Sequence, residues 1–291
     1  MNPRRSYSIP LPGKPPLQLG PRTLVMGILN ITPDSFADGG VLYNDVERAV
    51  EAGVRMVAEG ADIIDIGGES TRPGAERLPE KEELRRVLPV VEGLARRVQV
   101  PISIDTYKAR VARMALDRGA TMINDISGLQ YEPPLGEVVA TYGAALILMH
   151  TRGRSSGMYD RAVYADPAQD VVRELGEAVD RAVRAGVSRE AIIVDPGLGF
   201  AKRAEHSYDV LAELDRLSVL DRPILSGPSR KSFLKAALGE RGPSGREWGT
   251  AAAVTASVLF GAHIVRVHGV REMVDVVRVA DRIRAAGAPV P

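Results

Sequence analysis

The chain has 291 residues, of which 45% are hydrophobic and 26% charged, with a formal net charge of +1. This is the composition of an ordinary globular chain long enough to bury a full core, and a near-zero net charge supplies no overall attraction to nucleic acid or to an anionic membrane. With no cysteine, disulfides, thiolate metal sites and cysteine nucleophiles are excluded; the absence suits a reducing, cytoplasmic setting. Aromatic residues make up only 4%, so the core must be built from Val, Ile, Leu and Ala. Residues 1–20 are rich in proline and lack the apolar centre of a signal peptide. They read as an N-terminal extension to a domain covering 21–291. No segment has the length of apolar residues needed to span a bilayer.

The elements alternate along the chain. A first strand at Thr23–Leu29 is followed by a helix at Asn44–Ala58, where Val46, Ala49, Val50, Gly53, Val54 and Val57 recur at helical spacing. A second strand at Ala61–Ile66 leads to a helix at Glu80–Arg97 with an expected kink at Pro89. Strands three and four, Ile102–Ile104 and Met122–Asp125, precede helices at Tyr107–Arg118 and Pro134–Tyr142. Strand five at Ala144–Met149 and strand six at Ala191–Val194 precede helices at Ala168–Ala185 and Ser207–Leu217. Strand seven at Pro223–Leu225 is followed by a short helix from Lys231 and a longer one at Trp248–Phe260. Strand eight at Ile264–Val267 precedes a closing helix at Val270–Ala285. The strands are near-continuous apolar runs, as expected when helices cover a parallel sheet. Eight such units in roughly 250 residues predict a single-domain (β/α)₈ TIM barrel, with the chemistry on the loops after the strands. A doubly wound open sheet is the structural alternative.

Each strand ends in residues able to do chemistry. In chain order these are Asn30 with the Thr32–Gly40 loop, Asp65 with Gly67–Gly74, Asp105, Asn124 with Asp125, Met149 with His150, Asp195, Gly227–Lys231, and Arg266 with His268. A lone aspartate after a strand is usually a cap or turn former, and Asp34 fits a turn. His206 reads as a surface residue and His263 as structural. The recurrence of Asn, Asp, Lys, Arg and His at nearly every strand end is what a structural explanation does not cover. Asp105, Asn124 and Asp195 offer carboxylate and amide groups suited to a flat heterocycle with a donor-rich edge, such as a 2-amino-4-oxo pterin or guanine. Lys231 is placed to meet a carbonyl or ring nitrogen, and Arg266 to stack on the ring. Thr71, Arg72, Arg266 and His268 suit phosphate, and Asn30 is a hard oxygen ligand suited to Mg²⁺ beside phosphate oxygens. There is no P-loop, and Gly197–Lys202 is only half of a dinucleotide fingerprint.

These stretches resemble the dihydropteroate synthase family. The matching segments are Met26–Phe36 with Asp38–Gly40, Asp65–Gly74, Ser103–Thr106, Ile123–Ser127, Met149–His150, Asp195–Phe200, Ser229–Ser232, Gly249–Ala252 and Arg266–His268. The resemblance implies condensation of (7,8-dihydropterin-6-yl)methyl diphosphate with 4-aminobenzoate, giving 7,8-dihydropteroate and diphosphate, with Mg²⁺ as cofactor. It implies a pterin site of Asp105, Asn124, Met149, Asp195, Lys231 and Arg266. The implied diphosphate site is Asn30, Thr71, Arg72, Arg266 and His268, with Asn30 on the metal. The implied aminobenzoate pocket, where sulfonamides compete in this family, is Phe36, Pro73, Phe200, Ser229 and Lys231. Asp105, Lys231, Arg266, His268 and Asn30 would carry the catalysis, under loops at Thr32–Gly40 and Glu69–Gly74 that close over the centre. A homodimer through the C-terminal helices is also implied. The chain departs from the family's usual pattern at Thr151–Arg152, where Met-Gln is expected, at Ala201 for Gly, and at Gly269 for Asp. The alternatives are a pterin-binding methyltransferase domain, which has no need of Asn30, Ser229–Lys231 or His268, and a pterin-binding paralogue without turnover.

Overall fold

A computed structural model describes residues 4–32, 45–70, 74–75, 77–154 and 157–287. Eight parallel strands form one sheet: β3 (Leu24–Asn30), β4 (Ile63–Gly67), β5 (Ile102–Asp105), β6 (Met122–Asp125), β7 (Ala145–Met149), β8 (Ile192–Asp195), β9 (Leu225–Ser226) and β10 (Ile264–Val267). Each pairs with its sequence neighbour, and β10 pairs with both β3 and β9. A parallel bridge between Val194 and Ile224 joins β8 to the chain entering β9, which closes the sheet into a barrel. The helices alternate with these strands: α1 (Val46–Ala58), α2 (Glu80–Ala95), α3 (Ala109–Leu116), α4 (Pro134–Tyr142), α5 (Pro167–Arg184), α6 (Ala204–Ala212), α7 (Lys235–Leu238), α8 (Glu247–Leu259) and α9 (Val270–Ala286). The expected (β/α)₈ architecture is present.

Strand alternation divides the apolar runs into two sets. Val25, Ile64, Ile66, Ile104, Ile123, Leu146, Leu148, Val194, Val265 and Val267 belong to the core shared with the helices. Met26, Ile63, Met122, Ile147, Ile193, Leu225 and Ile264 form a separate inner cluster. Two residues on from members of that inner set stand Asp65, Asn124, Met149, Asp195 and Arg266. The period of two along a strand therefore makes these the next inward layer, at the C-terminal mouth.

The floor of the barrel is covered by an antiparallel hairpin, β1 (Tyr7–Leu11) and β2 (Lys14–Leu19). Its Ile9, Leu11 and Leu19 join the inner cluster from below. The Nε2–H of His263 donates to the Arg5 carbonyl (3.1 Å), and Arg4 donates to Thr23 Oγ1 (2.8 Å). The buried His263 is structural, as expected. The reading of residues 1–20 as an extension contained no strands.

Some boundaries differ from expectation for local reasons. The helix expected at Ser207–Leu217 is two pieces, α6 and a 3₁₀ segment at Leu214–Leu220. Leu214 and Leu217, three apart, are both buried, a spacing that suits three residues per turn. Strand seven begins later than Pro223: proline has no N–H to give to a ladder, and the Ile224 N–H donates to His263 Nδ1 (3.1 Å). The short helix from Lys231 is a 3₁₀ turn at Ser232–Leu234 followed by α7. The second helix continues through Pro89 to Ala95. His206, expected on the surface, is half-buried with its ring 5.0 Å from that of Tyr164.

Candidate active site

Above the apolar layers, the strand ends meet around one cleft of about 500 Å³ whose walls include Asn30, Asp105, Phe200, Ser229, Lys231, Arg266 and His268. A narrow recess, lined by Asn124, Met149 and Asp195, shares Asp105, Phe200, Lys231 and Arg266 with the cleft. Every expected site residue that lies within the described structure thus borders this one space. Phe36, Thr71, Arg72 and Pro73 lie outside the described residues, as do Asp34 and most of the two loops expected to close.

The layer is organised by Arg266. Its Nε donates to Asp65 Oδ2 (2.6 Å) and its Nη2 to Asp105 Oδ2 (2.8 Å). Asn124 Nδ2 also donates to Asp65 Oδ2 (3.0 Å). Asp65 is fully buried, and among the described residues its Oδ1 has no hydrogen-bond partner. It therefore acts as a fixed anion that aims both Arg266 and Asn124. Because the Asn124 amide nitrogen is committed to Asp65, its carbonyl oxygen remains for a ligand. Asp105 pairs in register with Asn124 across β5 and β6. Burial pushes the Asp105 carboxyl up to about 7 against the opposing pull of Arg266, and the Asp65 charge pushes it the same way as burial.

Asp195 is paired in register with Met149. Burial raises its pKa, while the Gly197 N–H, donated to Oδ1 at 2.7 Å, favours the ionised form. Lys231 places Nζ 3.8 Å from the centre of the Phe200 ring, a cation–π contact. Burial, and then Arg266, draw the Lys231 ammonium down to about 8. Ser229 Oγ lies 2.9 Å from His268 Nδ1 and accepts the His268 backbone N–H at 3.2 Å, which fixes the imidazole at the cleft rim. Asn30 continues β3 beside Gly67 of β4.

Several structural partners escaped the sequence reading. Asp65 was noted only as a strand-end residue; its position two residues beyond the inward Ile63 was the available signal. Lys108 is buried and bonded to Glu69, to Glu83 and to the Leu78 carbonyl (2.8 Å), while the Tyr107 hydroxyl donates to Glu69 (2.9 Å). Glu69 thereby reaches the cleft wall held by two neighbours. Arg230, at a left-handed φ of 57°, donates Nε to Glu247 of α8 (2.6 Å) while bordering the cleft between Ser229 and Lys231. No sequence spacing signals either arrangement.

Among the described residues, no group of three or more His, Asp or Glu side chains could hold a metal ion by itself. An ion at Asn30 would need oxygens from a ligand. That demand fits Mg²⁺, which binds through few protein ligands, substrate phosphates and water.

Comparison with known proteins places the chain in a family. The family model described as "Pterin binding enzyme" matches residues 26–268. A dihydropteroate synthase of Synechocystis sp. is 47% identical over 275 residues, 94% of this chain and 95% of the relative. The crystal structure of Yersinia pestis dihydropteroate synthase with a sulfonamide drug complex superposes with a TM-score of 0.90 at 41% identity, covering 96% of this chain and all of that one. Dihydropteroate synthase from Xanthomonas albilineans in complex with 7,8-dihydropteroate gives a TM-score of 0.82 at 38% identity over 97% of this chain and 100% of that one. With its strand-end residues gathered at one barrel mouth and these matches running nearly its full length, the chain belongs to the dihydropteroate synthase family of pterin-binding enzymes.

Proposed function

We propose that the chain joins (7,8-dihydropterin-6-yl)methyl diphosphate to 4-aminobenzoate, releasing diphosphate. The observation that carries the reading is the single layer in which Asp105, Asn124, Asp195, Lys231 and Arg266 meet beside the Ser229–His268 pair. The donor edge of the pterin faces three acceptors: Asp105, Asp195 and the Asn124 carbonyl. Lys231 donates to the ring's acceptor side, and the Arg266 guanidinium covers a ring face. Met149 closes the recess.

The reaction breaks the bond between the pterin methylene and the diphosphate oxygen, and the electron pair leaves with diphosphate. The electron-rich dihydropterin ring spreads the positive charge left on the methylene. The neutral amine of 4-aminobenzoate then forms the new C–N bond and afterwards sheds a proton to solvent. Arg266 and His268 meet the departing anion, a fixed donor set that needs no reorganisation. Asp105 shields the cationic methylene and ring. Phe200, Ser229 and Lys231 border the aminobenzoate; Phe36, Thr71, Arg72 and Pro73, which the family resemblance adds to the site, lie outside the described residues. Asn30 would hold Mg²⁺, and when bound the ion would offset the charge of the leaving group.

The exposed apolar residues of the last two long helices support a homodimer. Trp248 is 86% exposed at the start of α8, Val279 60% and Ile283 48% on α9, and Phe260 lies just beyond the end of α8. These helices pack on one another, so one copy presents this set to a second.

Diphosphate release monitored by a coupled assay tests the reaction. Release that requires 4-aminobenzoate is expected, with Asp105→Ala silent and unable to bind pterin. Pterin binding without 4-aminobenzoate-dependent release would instead make the chain a binder.

A further inference from the structure

Behind the cleft wall lies a buried charged group that the chemistry above does not use. Lys202 is 1% exposed. Its Nζ contacts His150 Nδ1 (2.7 Å), the Gly197 carbonyl (3.1 Å) and the Phe200 carbonyl (3.1 Å). Three acceptors match the three hydrogens of an ammonium; burial draws that ammonium down to about 7, and the charges of Asp195 and Glu174 pull it back up. His150 accepts at Nδ1, so its proton sits on Nε2, which donates to Glu174 Oε2 (2.9 Å). Burial holding the imidazole down at about 4 agrees with this neutral tautomer. Glu174, on α5, also accepts from Arg152 Nε (3.1 Å). The Arg152 guanidinium lies 3.9 Å from the centre of the Tyr164 ring, and the Tyr164 hydroxyl donates to the Ala201 carbonyl (2.8 Å).

The carbonyls of Gly197, Phe200 and Ala201 are thus all held from one side, and that turn needs holding. Gly197 (φ +64°) presses so closely on His150 that a Cβ there would fall 2.1 Å from the His150 carbonyl oxygen. Ala201 adopts a left-handed φ of 48°, strained for a residue with a Cβ. The other side of the same turn supplies Asp195, through the Gly197 N–H, and the Phe200 ring under Lys231.

We propose that Lys202 is a positioning residue of the pterin pocket: its buried ammonium, backed by His150 and Glu174, fixes the 197–201 turn so that Asp195 and Phe200 face the substrate. The inference rests on the pterin reading of that recess. Arg152 and Ala201, two of this chain's departures from the usual family pattern, meet here through Tyr164. The guanidinium stacked on that ring steadies the hydroxyl that holds the strained Ala201.

The chain has no cysteine of its own, so Lys202→Cys carries a unique thiol. Alkylation in denaturant with 2-bromoethylamine, then refolding, restores a side chain of lysine's length with its ammonium; 1-bromopropane gives the same length without charge. The aminoethyl form is expected to keep a KM for the pterin diphosphate within about twofold of the parent enzyme, and the propyl form to raise it about tenfold with a smaller change in kcat, the scale of one lost charge-assisted hydrogen bond. Equal KM values for the two forms, whether normal or raised, would show the charge to be idle and overturn the proposal. If neither form refolds, Glu174→Ala in the native enzyme decides. A rise of about threefold in that KM at an unchanged melting temperature is expected once the network loses its shared acceptor, and an unchanged KM overturns it. An unmodified enzyme that neither turns over nor binds pterin would refute the pterin reading instead, so the two failures are distinguishable.

Discussion

Asp65 sits beneath Arg266 and Asn124 and bonds to both. A fully buried carboxylate sharing one oxygen between a guanidinium and an amide sets the angle of both, so the two ligand-facing groups inherit their geometry from a residue beneath them. The same charge raises the Asp105 pKa. In the proposed function, pterin capture needs Asp105 ionised, so kcat/KM should fall on the acid side as pH drops through about 7. Asp65→Asn removes a like charge and leaves Arg266 with Asp105 as its remaining carboxylate partner in the layer. Both changes favour the ionised form of Asp105. The acid limb of the kcat/KM profile should therefore move to lower pH, while KM rises because Arg266 and Asn124 lose their aim. A limb that stays in place or moves to higher pH would contradict this electrostatic account. Sequence made the ligand-facing residues legible because polar groups interrupt apolar runs at the strand ends. It left their partners obscure, since the pairs Lys108–Glu69, Lys202–His150 and Asp65–Arg266 stand 39, 52 and 201 positions apart.

At the scale of elements, the hairpin and the seventh strand share one device. His263 donates to the Arg5 carbonyl ahead of the hairpin and accepts the Ile224 N–H that enters β9. Burial lowers its pKa from 6.5 to about 4. A depressed folded-state value means stability that is present above 6.5 and lost as pH falls toward 4. His263→Gln keeps one donor and one acceptor without a titrating ring. Its melting temperature should be somewhat lower than the parent's at pH 7.5 but fall less steeply between about pH 6.5 and 4.5; parallel curves would refute the role assigned to His263. The hairpin had a readable signal, a Pro12-Gly13 dipeptide between short alternating runs, but its prolines and shortness masked it. The split of the sixth helix was legible only as a change of apolar spacing from four to three. The long amphipathic helices were plain because their buried faces recur over several turns.

For the whole molecule, the repeating strand–loop–helix pattern pointed to a barrel, with an open sheet as the alternative, and to the strand ends at which to seek the chemistry. Closure itself was not legible, because it depends on a single bridge at Ile224 beside a proline. The outward faces were equally opaque: the apolar periodicity of α8 and α9 serves both the barrel and any second copy. Exposure separates the two uses and picks out Trp248, Val279 and Ile283. Sedimentation equilibrium should give twice the single-chain mass for the native enzyme and a shift toward one chain for Trp248→Glu; a native monomer would end the dimer proposal.

In the proposed function, side chains from all eight strand ends serve one pterin-binding, diphosphate-releasing cavity. A crystal structure with a non-reactive pterin methyl diphosphate analogue and Mg²⁺ tests it most directly. The account predicts the pterin edge on Asp105, Asn124 and Asp195, its face under Arg266, and the diphosphate toward Asn30 and His268. A pterin seated outside that layer, or a diphosphate pointing away from His268, would contradict it.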